Sequence, residues 1–244
     1  MELEEVFPDL PNVSLPTICR ALKHDCALSR KKLERRARRA IPQEIEDYEY
    51  RLKPFYKYPH QLVFIDETSK DARAAIRPYA WSQIGSPAIV QLPTQRGSRV
   101  STLAAFAMDG FFAWTHTAGT YTRRTFHDAF IENILPHLQP WPMPKSIVII
   151  DNARIHMYEK LEEIIHSRGA LLFFLPPYCP HLNPIEYGFS FVKRYIQKHG
   201  NIAYQAQPEL VLDVALGLCT DRPGMPINLI EHCGYRNEQL ELQQ

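Results

Sequence analysis

Three carboxylates sit in phrases that could gather hard oxygen ligands at one point. Asp66 closes the apolar run Leu62-Val63-Phe64-Ile65, and Asp151 closes Ile147-Val148-Ile149-Ile150. Glu186 follows Asn183-Pro184-Ile185, with thirty-four residues between it and Asp151. Two of the acids therefore end short β-type runs and the third opens a helix. Three carboxylates on rigid elements suit Mg²⁺ or Mn²⁺ and phosphoryl-transfer chemistry. Each acid alone has an ordinary explanation. A carboxylate after a strand can simply cap it, and an acid in a helix's first turn favours the helix dipole. The repetition of the strand-then-Asp arrangement shifts the balance toward a site at the carboxyl edge of a sheet, where α/β folds place ligands. Glu67 is the closest decoy for Asp66. Strand alternation sends it to the opposite face, so it is left out of the site.

The elements that would position these acids follow from the apolar pattern. Leu62 to Ile65 reads as a buried strand, and residues 79–84 as a further short one. Ser101 to Met108 and Phe111 to Thr117 flank Asp109-Gly110, a strong hairpin signal. Thr122 to Leu138 reads as a helix because Phe126, Phe130, Ile134 and Leu138 recur every four residues. Then come a strand at Ile147–Ile150, a helix over 157–167 ended by Gly169, and a strand over 171–175 stopped by Pro176-Pro177. A long helix runs from near Pro184 to about His199. This order predicts an α/β fold with a sheet of both parallel and antiparallel pairs. Residues 201–244 read as a helical tail.

Upstream, residues 13–40 read as two short helices joined by a turn, a helix-turn-helix-like fragment too small to bury a core alone. Ser14 can cap the first helix, with Pro16 in its first turn and Leu15, Ile18 and Leu22 on one stripe. Ser29 can cap the second. Residues 41–60, acidic and then rich in Tyr, Phe and Pro, read as a linker that packs its aromatics on the next domain. The expected organisation is therefore 1–40, a helix-turn-helix-like fragment; 41–60, a linker; 61–200, the main domain; and 201–244, the tail.

A net charge of +1 over 244 residues says nothing about partners, but its distribution does. Nine Lys/Arg lie between Thr17 and Ala40 against Asp25 and Glu34, a block suited to a polyanion or to a solvated helix face. Five scattered cysteines, with no C-x-x-C pair, argue against a disulfide framework and a zinc module. No apolar run is long enough to span a bilayer, and the acidic N-terminus has no signal-peptide pattern. A soluble, intracellular protein with no membrane partner is expected.

Taken together, the three phrases resemble those of the mariner-like superfamily of cut-and-paste DNA transposases. Phe64-Ile65-Asp66-Glu67 matches the first motif. Asp151, Asn152, Ala153 and His156 match the second, and Pro180, Asn183, Pro184, Ile185 and Glu186 the third. The thirty-four-residue spacing is one that the superfamily uses, and Lys193 matches a later lysine of the third motif's helix. Phe189 stands where the superfamily usually has Trp. Full-length members carry two helix-turn-helix modules, whereas this chain resembles them only from near the end of the second, as a truncated member would.

The resemblance implies a ribonuclease-H-like mixed sheet flanked by helices, with a short helix-turn-helix remnant before it. It implies a metal-dependent DNA endonuclease and strand transferase that uses two Mg²⁺ or Mn²⁺ ions, with Asp66, Asp151 and Glu186 as catalytic metal ligands. Asn152, His156 and Asn183 would orient the carboxylates; for His156 a plain helix-start role stands beside this one. Thr17, Arg20, Lys23, Lys31, Lys32, Arg35 and Lys193 would meet DNA, mostly at phosphate. The implied partners are double-stranded DNA, at transposon ends and target, and a second copy of the chain in an active homodimer. The implied location is the nucleus in a eukaryote. A different class of function also fits a truncated chain: a domesticated derivative that binds DNA or protein and moves nothing. The intact triad favours the enzyme, and the Asn-Pro-x-Glu phrase argues against a third reading, an RNA–DNA hybrid hydrolase on the same fold.

Overall fold

A computed structural model describes residues 14–28, 41–70, 85, 87, 89, 99–200 and 202–236. The chain divides into two compact units, Met1–Arg36 and Ala37–Gln244. In the first, α1 (Leu15–His24) starts as the sequence predicts. Ser14 is its N-cap, its Oγ accepting from the Thr17 N–H, and Pro16 lies in the first turn. The helix expected after Ser29 and the strand expected at 79–84 lie outside the described residues.

The second unit is built on a five-stranded sheet in the order β3-β2-β1-β4-β5. Its strands are β1 (Leu62–Lys70), β2 (Val100–Ala107), β3 (Gly110–Ala118), β4 (Ile147–Ile150) and β5 (Leu171–Phe174). β1 is central, antiparallel to β2 and parallel to β4, and β5 continues the parallel half. The β2–β3 hairpin turns at Met108-Asp109, and Gly110 begins the return strand at φ +95°, where glycine is unstrained. The position also demands a small residue, because a Cβ there would stand 2.9 Å from the Cα of Thr220.

Alternation along the strands divides the core in two. Leu62, Phe64, Ile147 and Ile149 face one way, and Val63, Ile65, Val148 and Ile150 the other. The second face is covered by α3 (Arg123–Asn133) and α4 (Glu159–Ser167), through Phe126, Phe130, Leu161 and Ile165. The first face receives α2 (Pro42–Leu52), α5 (Pro184–Tyr195), a π-helical turn at Ile196–Gly200, α6 (Ala203–Ala206), α7 (Pro208–Thr220) and α8 (Met225–His232). Gly188 lets α5 sit close to the sheet, since a Cβ there would lie 2.9 Å from the Phe111 ring.

Four expectations need correction. Asp66 does not end its strand: β1 runs on to Lys70, because β2 keeps pairing with it (Asp66 opposite Ala104, Lys70 opposite Val100) after β4 has stopped. The helix expected over 122–138 ends at Asn133 and tightens into a 3₁₀ turn at Leu135–His137. Pro136 has no N–H to carry the α-helical pattern on, yet the four apolar positions are all buried as expected. The helix expected from Met157 starts at Glu159. Residues 42–52, read as part of a linker, form α2; the expected packing of the segment's aromatics on the next domain is seen at Tyr48 and Tyr56, which enter the core with Leu52. Tyr48 shares a buried hydroxyl–hydroxyl hydrogen bond of 2.9 Å with Tyr235, near the far end of the sequence.

Candidate active site

The register of the parallel pair positions the first two acids. Ile65 and Ile150 are the last partners of β1 and β4, and the next residues are Asp66 and Asp151. β4 ends there, so the sheet opens beside Asp66 while β2 still braces it from the other side. Glu186 stands in the first turn of α5, after Pro184 at the start of the helix. All three acids line one open cleft of about 660 Å³. Its remaining wall is mainly apolar and backbone-rich, with Met157, Leu175, Pro176, Pro177 and Tyr178, and no Lys or Arg lines it among the described residues.

The acids differ sharply in surroundings. Asp66 is 7% exposed. Its Oδ1 accepts from the Glu67 N–H at 2.7 Å and its Oδ2 from the Asn183 Nδ2 at 2.9 Å. Burial first, and then the charges of Glu186, Asp151 and Glu67, push its carboxyl well above the ordinary carboxylate range, against the pull of the Glu67 N–H. Asp151 is more open. Burial works to raise it too, but donation from His156 and from the Ala153 N–H prevails and holds it below the usual value.

Of the three residues expected to orient carboxylates, two contact one. Asn183 holds Asp66, and it does so instead of capping α5, whose N-cap position it occupies without a side-chain cap bond. His156 is fully buried, and its Nδ1 lies 2.7 Å from Asp151 Oδ1. Asn152 also lines the cleft, and its Nδ2 donates to the Leu175 carbonyl, tying the end of β4 to the end of β5.

Glu67, set aside on strand alternation, faces away from the cleft and does not line it, as expected. His156 lies on that opposite face, packed against Phe126 with ring centroids 4.6 Å apart. The His156 Nε2 donates to Glu67 Oε1 at 2.8 Å. Burial works to lower the imidazole, but its two carboxylate partners push it up to about 10. The adjacency of Asp66 and Glu67 is visible in the sequence; the contact across 89 positions is not.

The donor set fits hard divalent cations. Three acids crowd one cleft whose described lining offers no cationic side chain, and their mutual repulsion is felt at Asp66. They do not form a closed cage: among the described residues no three acidic, His or Cys groups stand close enough to enclose an ion.

The residues expected to meet DNA fall on different elements of the chain. Thr17, Arg20 and Lys23 are exposed on α1, in the first unit. Lys31, Lys32 and Arg35 lie outside the described residues. Lys193 is half-buried on α5, two turns beyond Glu186, and does not line the cleft. No described helix is long and apolar enough to cross a membrane.

A mixed sheet with helices on both faces and acids at the end of its central parallel pair is a ribonuclease-H-like fold. The chain belongs to the family described as DDE superfamily endonuclease, whose profile matches residues 61–209. Solved structures with this fold include the Mos1 mariner paired-end complex with Mg, at TM-score 0.64 and 14% identity over 98% of this chain and 74% of that one. The paired-end complex with Mn gives 0.62 and 16% over 98% and 71%. The Mos1 transposase catalytic domain with Raltegravir and Mg gives 0.51 and 14% over 79% of this chain and 89% of that shorter one. At these identities the likeness is one of fold. Comparison with curated protein sequences gives no match.

Proposed function

We propose that this chain is a transposase-type nuclease that cleaves and joins DNA phosphodiesters with two Mg²⁺ or Mn²⁺ ions held by Asp66, Asp151 and Glu186. The observation that carries the reading is the placement of Asp66 and Asp151 directly after the last pair of two adjacent parallel strands, in one cleft with Glu186. Bound ions would lower the pKa of the attacking water or 3′-hydroxyl and offset charge on the leaving oxygen.

The chain's own residues do the rest. Asn183 and the Glu67 N–H restrain Asp66, and His156 and the Ala153 N–H restrain Asp151, so two of the three ligands are oriented before any cation arrives. Glu186, on the rigid first turn of α5, completes the set. Met157, Pro176 and Pro177 form an apolar wall beside the acids. Mos1 forms paired-end complexes. For this chain we take transposon ends and target DNA as the substrates and a homodimer as the working assembly. The exposed Arg20 and Lys23 of α1 supply phosphate contacts.

The test is nicking of supercoiled plasmid by the purified chain in Mn²⁺. Wild type should nick, and Asp66→Asn, Asp151→Asn and Glu186→Gln should each abolish nicking while keeping the folded circular-dichroism spectrum. A variant that still cuts at the wild-type rate removes that acid from the site.

A further inference from the structure

We infer that Glu67 is a positioning residue for the divalent-ion site, restraining Asp66 through its backbone N–H and Asp151 through the buried imidazole of His156. The inference rests on the metal reading proposed above and adds a residue that the cleft itself does not reveal.

Glu67 touches both strand acids, by different routes. Its N–H donates to Asp66 Oδ1 at 2.7 Å. Its side chain, on the opposite face of β1, accepts from His156 Nε2 at 2.8 Å, and the same ring reaches Asp151 Oδ1 at 2.7 Å through Nδ1. Asp151 Oδ1 also accepts from the Ala153 N–H at 3.0 Å. Two donors occupy the lone pairs of Oδ1, so Oδ2 is the oxygen left to face a cation. That selection depends on the ring. His156 is fully buried, with one edge of the ring against Asp151 through Nδ1 and a face on Phe126. Glu67 fixes the remaining polar edge at Nε2. The anchor lies on β1, so the orientation of an acid after β4 is referred to the strand that bears Asp66. Outer partners of this kind typically change metal affinity by about 10–100-fold when removed.

The test measures Mn²⁺ binding to the full chain without DNA, by calorimetry or paramagnetic resonance. Glu67→Leu should weaken binding by about 10–100-fold. Glu67→Gln, whose Oε1 still accepts from Nε2–H, should recover most of that loss. Glu67→Asp, which keeps the charge but is one methylene short, should bind as weakly as the Leu variant, and it decides the matter if the Leu variant fails to fold. In a His156→Gln background, Glu67→Leu should cost nothing further, because the two act as one unit. Near-wild-type Mn²⁺ binding by the Leu or Asp variant, a Gln variant as weak as Leu, or losses that simply add in the double variant would overturn the inference. Wild-type protein that binds no Mn²⁺ would instead overturn the metal reading, and this inference with it.

Discussion

The Asp66 carboxylate is kept where a charge is costly. It is buried, and three further acids act on it. Neutralising it should therefore stabilise the metal-free protein even as it abolishes cleavage. Asp66→Asn has a local repair available: the buried Oδ1 of Asn183 has no hydrogen-bond partner, so an amide flip lets it accept from the new Asn. A higher melting midpoint for the variant in metal-free buffer is expected. A lower midpoint in metal-free buffer would mean that the carboxylate is stabilising and the repulsion unimportant. His156 carries the opposite sign. Its imidazole is held up to about 10, above its ordinary value near 6.5. The raised value means that its contribution to stability is complete below about pH 6.5 and is lost as pH rises toward 10. Denaturation of metal-free protein across that window should show a loss that His156→Gln lacks, and equal slopes for the two proteins would refute it.

At the scale of elements, α5 is fixed from two sides. Gly188 admits it to the sheet against Phe111, which packs between Phe106 and Phe189 with centroids 5.0 and 5.6 Å away. Gly188→Ala gains helix propensity but must displace that ring, and the displacement should win, costing roughly 1–3 kcal/mol in chemical denaturation; an Ala variant as stable as wild type would show that the stack yields easily. The loop before α5 is tied to the C-terminal segment by Tyr235, whose hydroxyl donates to the Leu182 carbonyl at 2.9 Å and pairs with Tyr48. These elements show what the sequence can reveal. The Asp-bearing strands, the hairpin and the Asn-Pro-Ile-Glu helix are legible because each is a local pattern. The length of β1 is not, because β2 sets it from some thirty residues away in sequence. Nor is α2: Pro and aromatic residues suggest a linker, and only Tyr235 and the core beneath show what Tyr48 is for. Glu67 escapes a local reading for a similar reason. Alternation correctly gives its direction, but no local pattern says that a histidine 89 positions away fills the space it points into.

Across the whole molecule, charge and thiols offer separate readouts. The exposed Arg20 and Lys23 belong to the first unit, while the cleft belongs to the second. Replacing both with Gln should lower the slope of log affinity against log salt by about 0.9 for each phosphate no longer neutralised and leave Mn²⁺ binding unchanged. An unaltered slope would take α1 out of the DNA interface. Of the five cysteines, Cys19 and Cys26 are exposed, whereas Cys179, Cys219 and Cys233 are buried. Burial pushes the thiols of Cys219 and Cys233 up to about 12. The folded chain should therefore react quickly at two thiols and, once denatured, at all five; rapid reaction of a third would show that the core opens. That Asp66, Asp151 and Glu186 hold divalent ions is tested most directly by anomalous scattering from a crystal grown with Mn²⁺. Two peaks about 3.5–4 Å apart, flanked by Asp66 and Asp151 with Glu186 on one of them, are predicted. A fully occupied Mn²⁺ elsewhere, with no peak in this cleft, would contradict it.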